Sequence, residues 1–166
     1  MKRFILVAVA GLMLLASPVM AKEGLYVGAY VLPSIDVSED SGDGYGFRAG
    51  FGVNRYFAVE GSYEKGDLDK SGDFTGMALD LKVNFPLTSL DRNNVMSLEP
   101  FVRLGYAEYE DDADNSGSGP HFGIGIELYL FQELSVSAGW SRTVADFDGN
   151  DERIKVIDLG LNYHFR

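Results

Sequence analysis

Eight ionisable side chains stand where an alternating chain would turn them all to one side: Arg48, Glu60, Glu64, Asp80, Lys82, Arg103, Glu127 and Asp158. Each lies on the small or polar face of a segment whose other face is apolar. The chemistry open to such a set is electrostatic. Cations and carboxylates in a confined space can neutralise one another, whereas an unpaired buried charge is costly. Two readings follow. In the preferred one the set is a fixed ion-pair network that fills a closed interior. In the other it is a gate, in which Lys82 or Arg103 exchanges carboxylate partners and lets small ions through.

Catalysis finds little material. The sequence has no cysteine and two histidines, His121 and His164. These fall at opposite ends of their segments, and neither completes a hydrolase arrangement by local spacing, although distant residues could converge on them. Glu60 and Glu127 are better read as salt-bridge partners than as an acid–base pair. No catalytic residue, cofactor or metal ligand is expected. Asp146-Phe147-Asp148-Gly149-Asn150-Asp151 places oxygens at alternate positions, a weak pattern for a hard cation. A solvated acidic surface is the preferred reading.

Elements must hold those charges on a common face. The run Asp158 to Phe165 shows which: Leu159, Leu161, Tyr163 and Phe165 alternate with Asp158, Gly160, Asn162 and His164. A period of two is a strand. Similar segments recur at 25–32, 45–53, 56–65, 74–85, 98–109, 121–130 and 134–143, making eight strands with the final one. In the first, Gly28 marks the inner face together with Tyr26 and Tyr30. Polar stretches at 33–43, 66–73, 110–119 and 145–152 read as long loops. The connections at 54–55 and 131–133 read as tight turns, while the one leading to Ser97 is longer.

Volume decides which face is inside. An eight-stranded barrel has an interior just wide enough for side chains to fill. The Phe-, Tyr-, Leu-, Ile- and Val-rich face is too bulky for it, and the glycine-rich face with a few charges fits. The apolar face therefore points outward, to lipid, where a closed barrel satisfies every backbone group. Tyr45, Phe57, Tyr63, Phe85, Tyr106, Trp140, Tyr163 and Phe165 lie near strand ends, as interfacial girdles do. The expected fold is all-β, an eight-stranded antiparallel up-and-down transmembrane barrel.

Export is read from the start of the chain. Lys2 and Arg3 precede the apolar run 4–15, and Ser17 to Ala21 supplies small residues for cleavage after Ala21. Residues 1–21 are thus expected to be a signal peptide and residues 22–166 the barrel. Losing Lys2 and Arg3 makes a net charge of −11 still more negative, which argues against nucleic acid as a partner.

Three pieces carry a resemblance: Leu25-Tyr26-Val27-Gly28-Ala29, the run Tyr56 to Tyr63, and above all Asp158 to Phe165. With them the chain resembles the small outer-membrane barrels of Gram-negative bacteria, the OmpX- and Ail-like proteins and the barrel domain of OmpA. The resemblance implies an outer-membrane location with no peptidoglycan-binding domain after the barrel. It also implies a monomer with both termini in the periplasm and four loops outside, in contact with lipid and lipopolysaccharide. Asp158, Gly160, Tyr163 and Phe165 match the family's terminal signal for the barrel-assembly machinery, although Arg166 follows the usual final aromatic. The implied role is structural or surface-interacting, with a narrow ion channel, or an adhesin or immune-evasion protein binding host surface ligands, as alternatives.

Overall fold

The computed structural model describes residues 23–37, 40–69, 72–87, 96–111, 115–147 and 150–165. The expected signal peptide, Arg166, and Asp148 and Gly149 of the acidic hexapeptide lie outside the described residues. Eight strands follow in order: β1 (Gly24–Val37), β2 (Asp40–Gly52), β3 (Phe57–Leu68), β4 (Gly72–Asn84), β5 (Ser97–Asp111), β6 (Ser116–Tyr129), β7 (Leu134–Phe147) and β8 (Asn150–His164). Each pairs with its neighbours antiparallel, and β1 closes on β8 through Tyr26↔His164 to Val37↔Ile154. Closure leaves no free sheet edge. The expected barrel is the observed one.

Through the apolar belt the alternation holds on every strand. Phe47, Met77, Leu79, Leu104, Tyr106, Ile124, Leu159 and Leu161 are exposed on the outside, while Arg48, Asp80, Arg103, Glu127 and Asp158 are buried within. Large inward rings lie across the barrel wall from glycines. Tyr26 is in register with Gly50, Tyr30 with Gly46, Phe101 with Gly125 and Tyr109 with Gly76. At each of these glycines a Cβ would collide with the ring opposite. Glycine at these four positions is therefore the space that an aromatic side chain occupies.

The long loops of the sequence reading are corrected. β1 runs on to Val37, and β2 begins at Asp40. Equally, β3 extends to Leu68, β5 to Asp111, β7 to Phe147, and β8 starts at Asn150. Most of the acidic stretches are thus paired strand, not loop. The longest connection, between Asn84 and Ser97, lies at the end of the barrel that holds the termini. The strands are 12 to 15 residues long, and about 9–11 suffice to cross a bilayer. The surplus projects past the apolar band at the far end.

In that projection the polarity of the wall reverses. On β8, Lys155 and Arg153 face outward while Ile154 and Val156 face in. With Leu32, Ile35, Leu68, Phe74, Ala107, Tyr109 and Ala145 they form an apolar cluster in the bore. A wall bathed by water on the outside needs an apolar interior, so these residues pack as a soluble barrel would. β1 enters this zone through a bulge. Leu32 pairs with Gly44 and Ile35 with Gly42, so Pro33 and Ser34 together oppose a single residue. The extra residue turns both Leu32 and Ile35 inward, and Pro33 sits where a missing backbone donor does least harm.

Candidate functional site: a filled lumen

Within the apolar band the bore holds charges. Arg48 on β2 donates from Nη2 to Asp158 Oδ1 on β8, and its Nη1 lies 4.0 Å from Glu60 Oε1 on β3. Arg103 on β5 closes the square, with Nε 3.0 Å from Glu60 Oε1 and Nη1 3.4 Å from Asp158 Oδ2. Two guanidinium groups and two carboxylates from four strands therefore meet in the centre. Tyr26 adds a phenolic hydrogen bond to Glu60 Oε2 at 2.6 Å. The Arg48 guanidinium lies 4.2 Å from the ring centre of Tyr30, and that of Arg103 lies 4.6 Å from that of Phe101. The cations are thus covered by aromatic faces as well as by carboxylates.

A second group lies toward the terminal end. Lys82 Nζ is 2.7 Å from Glu127 Oε2. Glu127 Oε1 accepts from Ser135 Oγ and from Asn162 Nδ2, and His164 Nε2 lies 3.3 Å from it. His164 is flanked by the rings of Tyr26 and Tyr129 at 5.2 and 5.0 Å. Toward the far end, His121 Nδ1 meets Asp80 Oδ1 at 2.7 Å. The structure therefore groups Arg48, Glu60, Arg103 and Asp158 as one cluster, Lys82 with Glu127 as another, and Asp80 with His121 as a third. Glu64 lies apart beneath the apolar cluster, 3.5 Å from the hydroxyl of Tyr30.

Distant residues do converge on a histidine, as a hydrolase would need. Ser135 Oγ is 3.1 Å from His164 Nε2. The arrangement does not make a nucleophile, because Glu127 approaches the same nitrogen instead of orienting the ring through Nδ1. Ser135 donates its proton to Glu127 and is fully buried, so the group is a hydrogen-bonded brace.

Space in the bore is scarce. Between the central square and the apolar cluster lies a cavity of about 20 Å³ lined by Tyr30, Arg48, Glu64, Tyr109 and Asp158 among others, roughly enough for one water molecule. Among the buried members that the sequence reading left out are Glu99 and Tyr109, whereas Tyr129 stands on the inner face expected for it. The parity of Arg103 points to Glu99 and Tyr109 on β5, and that of Glu127 to Tyr129 on β6.

A closed antiparallel barrel with an apolar belt outside and paired charges inside is a membrane-spanning β-barrel. The chain belongs to the outer membrane protein β-barrel domain family, whose pattern matches residues 4–165. Among solved structures it is similar to Neisserial surface protein A, with 19% identity and a TM-score of 0.62 over 86% of this chain and 97% of that one. The N-terminal barrel of Pseudomonas aeruginosa OprF matches with 17% identity and a TM-score of 0.59, over 86% and 99% of the two chains. Ail of Yersinia pestis matches with 17% identity and a TM-score of 0.52, over the same two shares. At such identities the likeness concerns the fold. No curated protein sequence matches the chain.

Proposed function

We propose that this protein is a non-conducting outer-membrane barrel with a structural or surface-interaction role in the envelope, and not an enzyme. In this reading residues 1–21 are removed on export and residues 22–166 form a monomer with both termini in the periplasm. The acidic hairpin ends stand outside, against lipopolysaccharide. The barrel-assembly machinery reads Asp158, Gly160, Tyr163 and Phe165. The observation that carries the proposal is the packing of the bore among the described residues: the square of Arg48, Glu60, Arg103 and Asp158, capped by an apolar cluster, with a water-sized cavity between them.

An exchanging gate would need an open path beyond it, and the apolar cluster of Leu32, Ile35, Leu68 and Phe74 in the bore speaks against one. Planar-bilayer recordings of the purified protein, alone and as Glu60→Gln and Glu127→Gln, are expected to show no discrete conductance steps. Reproducible steps in the unaltered protein, abolished or enlarged by either change, would overturn the proposal in favour of the gate. For adhesion, Ail has been solved in complex with the heparin analogue sucrose octasulfate. That ligand is a polyanion, whereas the far end here exposes Asp36, Asp43, Asp67 and Asp69, so its ligand class does not carry over to these tips.

A further inference from the structure

The sequence is strongly acidic, yet its outer wall carries one concentrated basic patch. Going up the wall from the apolar belt, the first polar outward residue is Asp43 on β2, Thr75 on β4 and Glu108 on β5. On β3 it is Lys65, which pairs with Asp73 at 2.7 Å. On β7 and β8 it is Arg142 and Lys155, and these two stand directly opposite each other across the strand pair. Arg153 is the next outward residue on β8, in register with Val144. Like charges facing each other across a ladder destabilise it. Among the described residues no ion pair joins Arg142, Arg153 or Lys155 to a carboxylate, although Asp36 lies across from Lys155 on β1. The Nε of Arg142 is buried without a hydrogen-bond partner. Among the described residues, then, no carboxylate comes within ion-pair distance of Arg142 or Arg153, and the patch favours an anion.

Its height says which anion. Immediately below Arg142 and Lys155 the wall presents Trp140 and Ile157, which face each other, and Phe122, which is in register with Arg142. Trp140 and Phe122 pack edge to face at 6.5 Å. Aromatic residues mark the level where acyl chains give way to head groups. A guanidinium with an ammonium beside it suits a phosphate, which accepts from both. Resting on the membrane placement proposed above, we infer that Arg142, Arg153 and Lys155 form a binding site for the phosphate-bearing head group of a membrane lipid, with its acyl chains lying along Phe122, Trp140 and Ile157. A bilayer lipid is the source because the open wall offers a free phosphate no enclosure, whereas a lipid adds apolar contact below the charges.

Trp140 is the only tryptophan, so it reports on the lipid next to the site. The folded protein is placed in vesicles of phosphatidylcholine with brominated acyl chains, which quench Trp140, and unbrominated diphosphoryl lipid A is added in steps. The expected result is that lipid A relieves quenching beyond simple dilution, with a relative affinity of up to roughly a hundredfold at low salt, since each of the three basic residues near an anionic head group contributes about a factor of five. The selectivity should weaken as sodium chloride rises. The double variant Arg142→Gln/Lys155→Gln should lose about twenty-five-fold of that selectivity and keep only the contribution of Arg153, while Lys65→Gln on the opposite wall keeps the original value. A relative affinity near one in the unaltered protein, or no change in the double variant, would overturn the site. So would relief by millimolar inorganic phosphate without lipid A, which would make free phosphate the ligand. Absence of any quenching by the brominated lipid would instead overturn the membrane placement itself. If the double variant does not fold, the salt dependence of the unaltered protein decides.

Discussion

At the residue scale the barrel is a set of ring-and-glycine pairs around a knot of charge. Phe101 fills the place that a side chain on Gly125 would take, and a Cβ there would also meet the carbonyl of Ala138. Gly125→Ala should therefore cost about 1–3 kcal/mol through overpacking, read as a lower urea midpoint for unfolding from lipid vesicles. Gly61 is the control. It faces outward with its nearest neighbours at 3.9 Å, so Gly61→Ala should leave the midpoint within about 0.5 kcal/mol of the original. In the square of charges, Arg103 serves both Glu60 and Asp158. Removing it in Arg103→Met leaves carboxylates short of a partner, at a cost of about 3–5 kcal/mol. Adding Glu60→Gln should recover part of that loss, and equal stability of the single and double variants would show that the square contributes nothing specific.

At the element scale β1 and β8 carry the most information, because their pairing closes the barrel. The β1 bulge opposes two residues, Pro33 and Ser34, to one on β2. Deleting Pro33 makes the pairing regular and leaves Ile35 opposite Gly42, still inward. The deletion should thus be tolerated, with folded yield unchanged, whereas Ile35→Ser should cost about 2–3 kcal/mol for the lost apolar burial. Loss of folding in the deletion would mean that the bulge supplies twist and not only parity. On β8 the outward faces of Tyr163 and Phe165 pack edge to face at 5.1 Å, and the Phe165 amide donates to the carbonyl of Leu25. Tyr163→Ser/Phe165→Ser should reduce the protein recovered in the outer membrane of cells while leaving refolding in detergent nearly intact. Equal losses in both assays would assign the pair to stability instead of to assembly.

At the scale of the whole molecule one wall serves two solvents. In the belt it is apolar outside and polar inside, and past the belt it is the reverse, without a change of fold. Backbone pairing continues through both zones, so the unboiled protein should migrate differently from the boiled protein on a denaturing gel. The far-end amides at 35–37, 66–68 and 154–156 should exchange hydrogen as slowly as those of the belt. Fast exchange at 35–37 and 66–68 would return those two stretches to the loops that their composition suggests.

How much could be read without coordinates follows from the same two solvents. Strand number, closure and the inner face of the belt were legible, because a period of two survives wherever lipid lies on one side and a narrow bore on the other. The inward assignments of Arg48, Asp80, Arg103 and Asp158 needed nothing more than parity. The far end of most strands was not legible, although β4 and β5 were read to within two residues of it. Its Asp, Ser and Gly residues look like a loop by composition, and its apolar residues, such as Ile154 and Val156, occupy the face that the belt keeps polar. Which charges meet was also undecided, since parity names a face but not a height. Arg48, Glu60, Arg103 and Asp158 come from four strands and converge because closure and strand stagger bring them to one level. The sequence by itself determined the elements and their faces, which depend on local alternation. Only the tertiary structure decided which residues meet across the bore, because that depends on how far each strand is shifted against its neighbours.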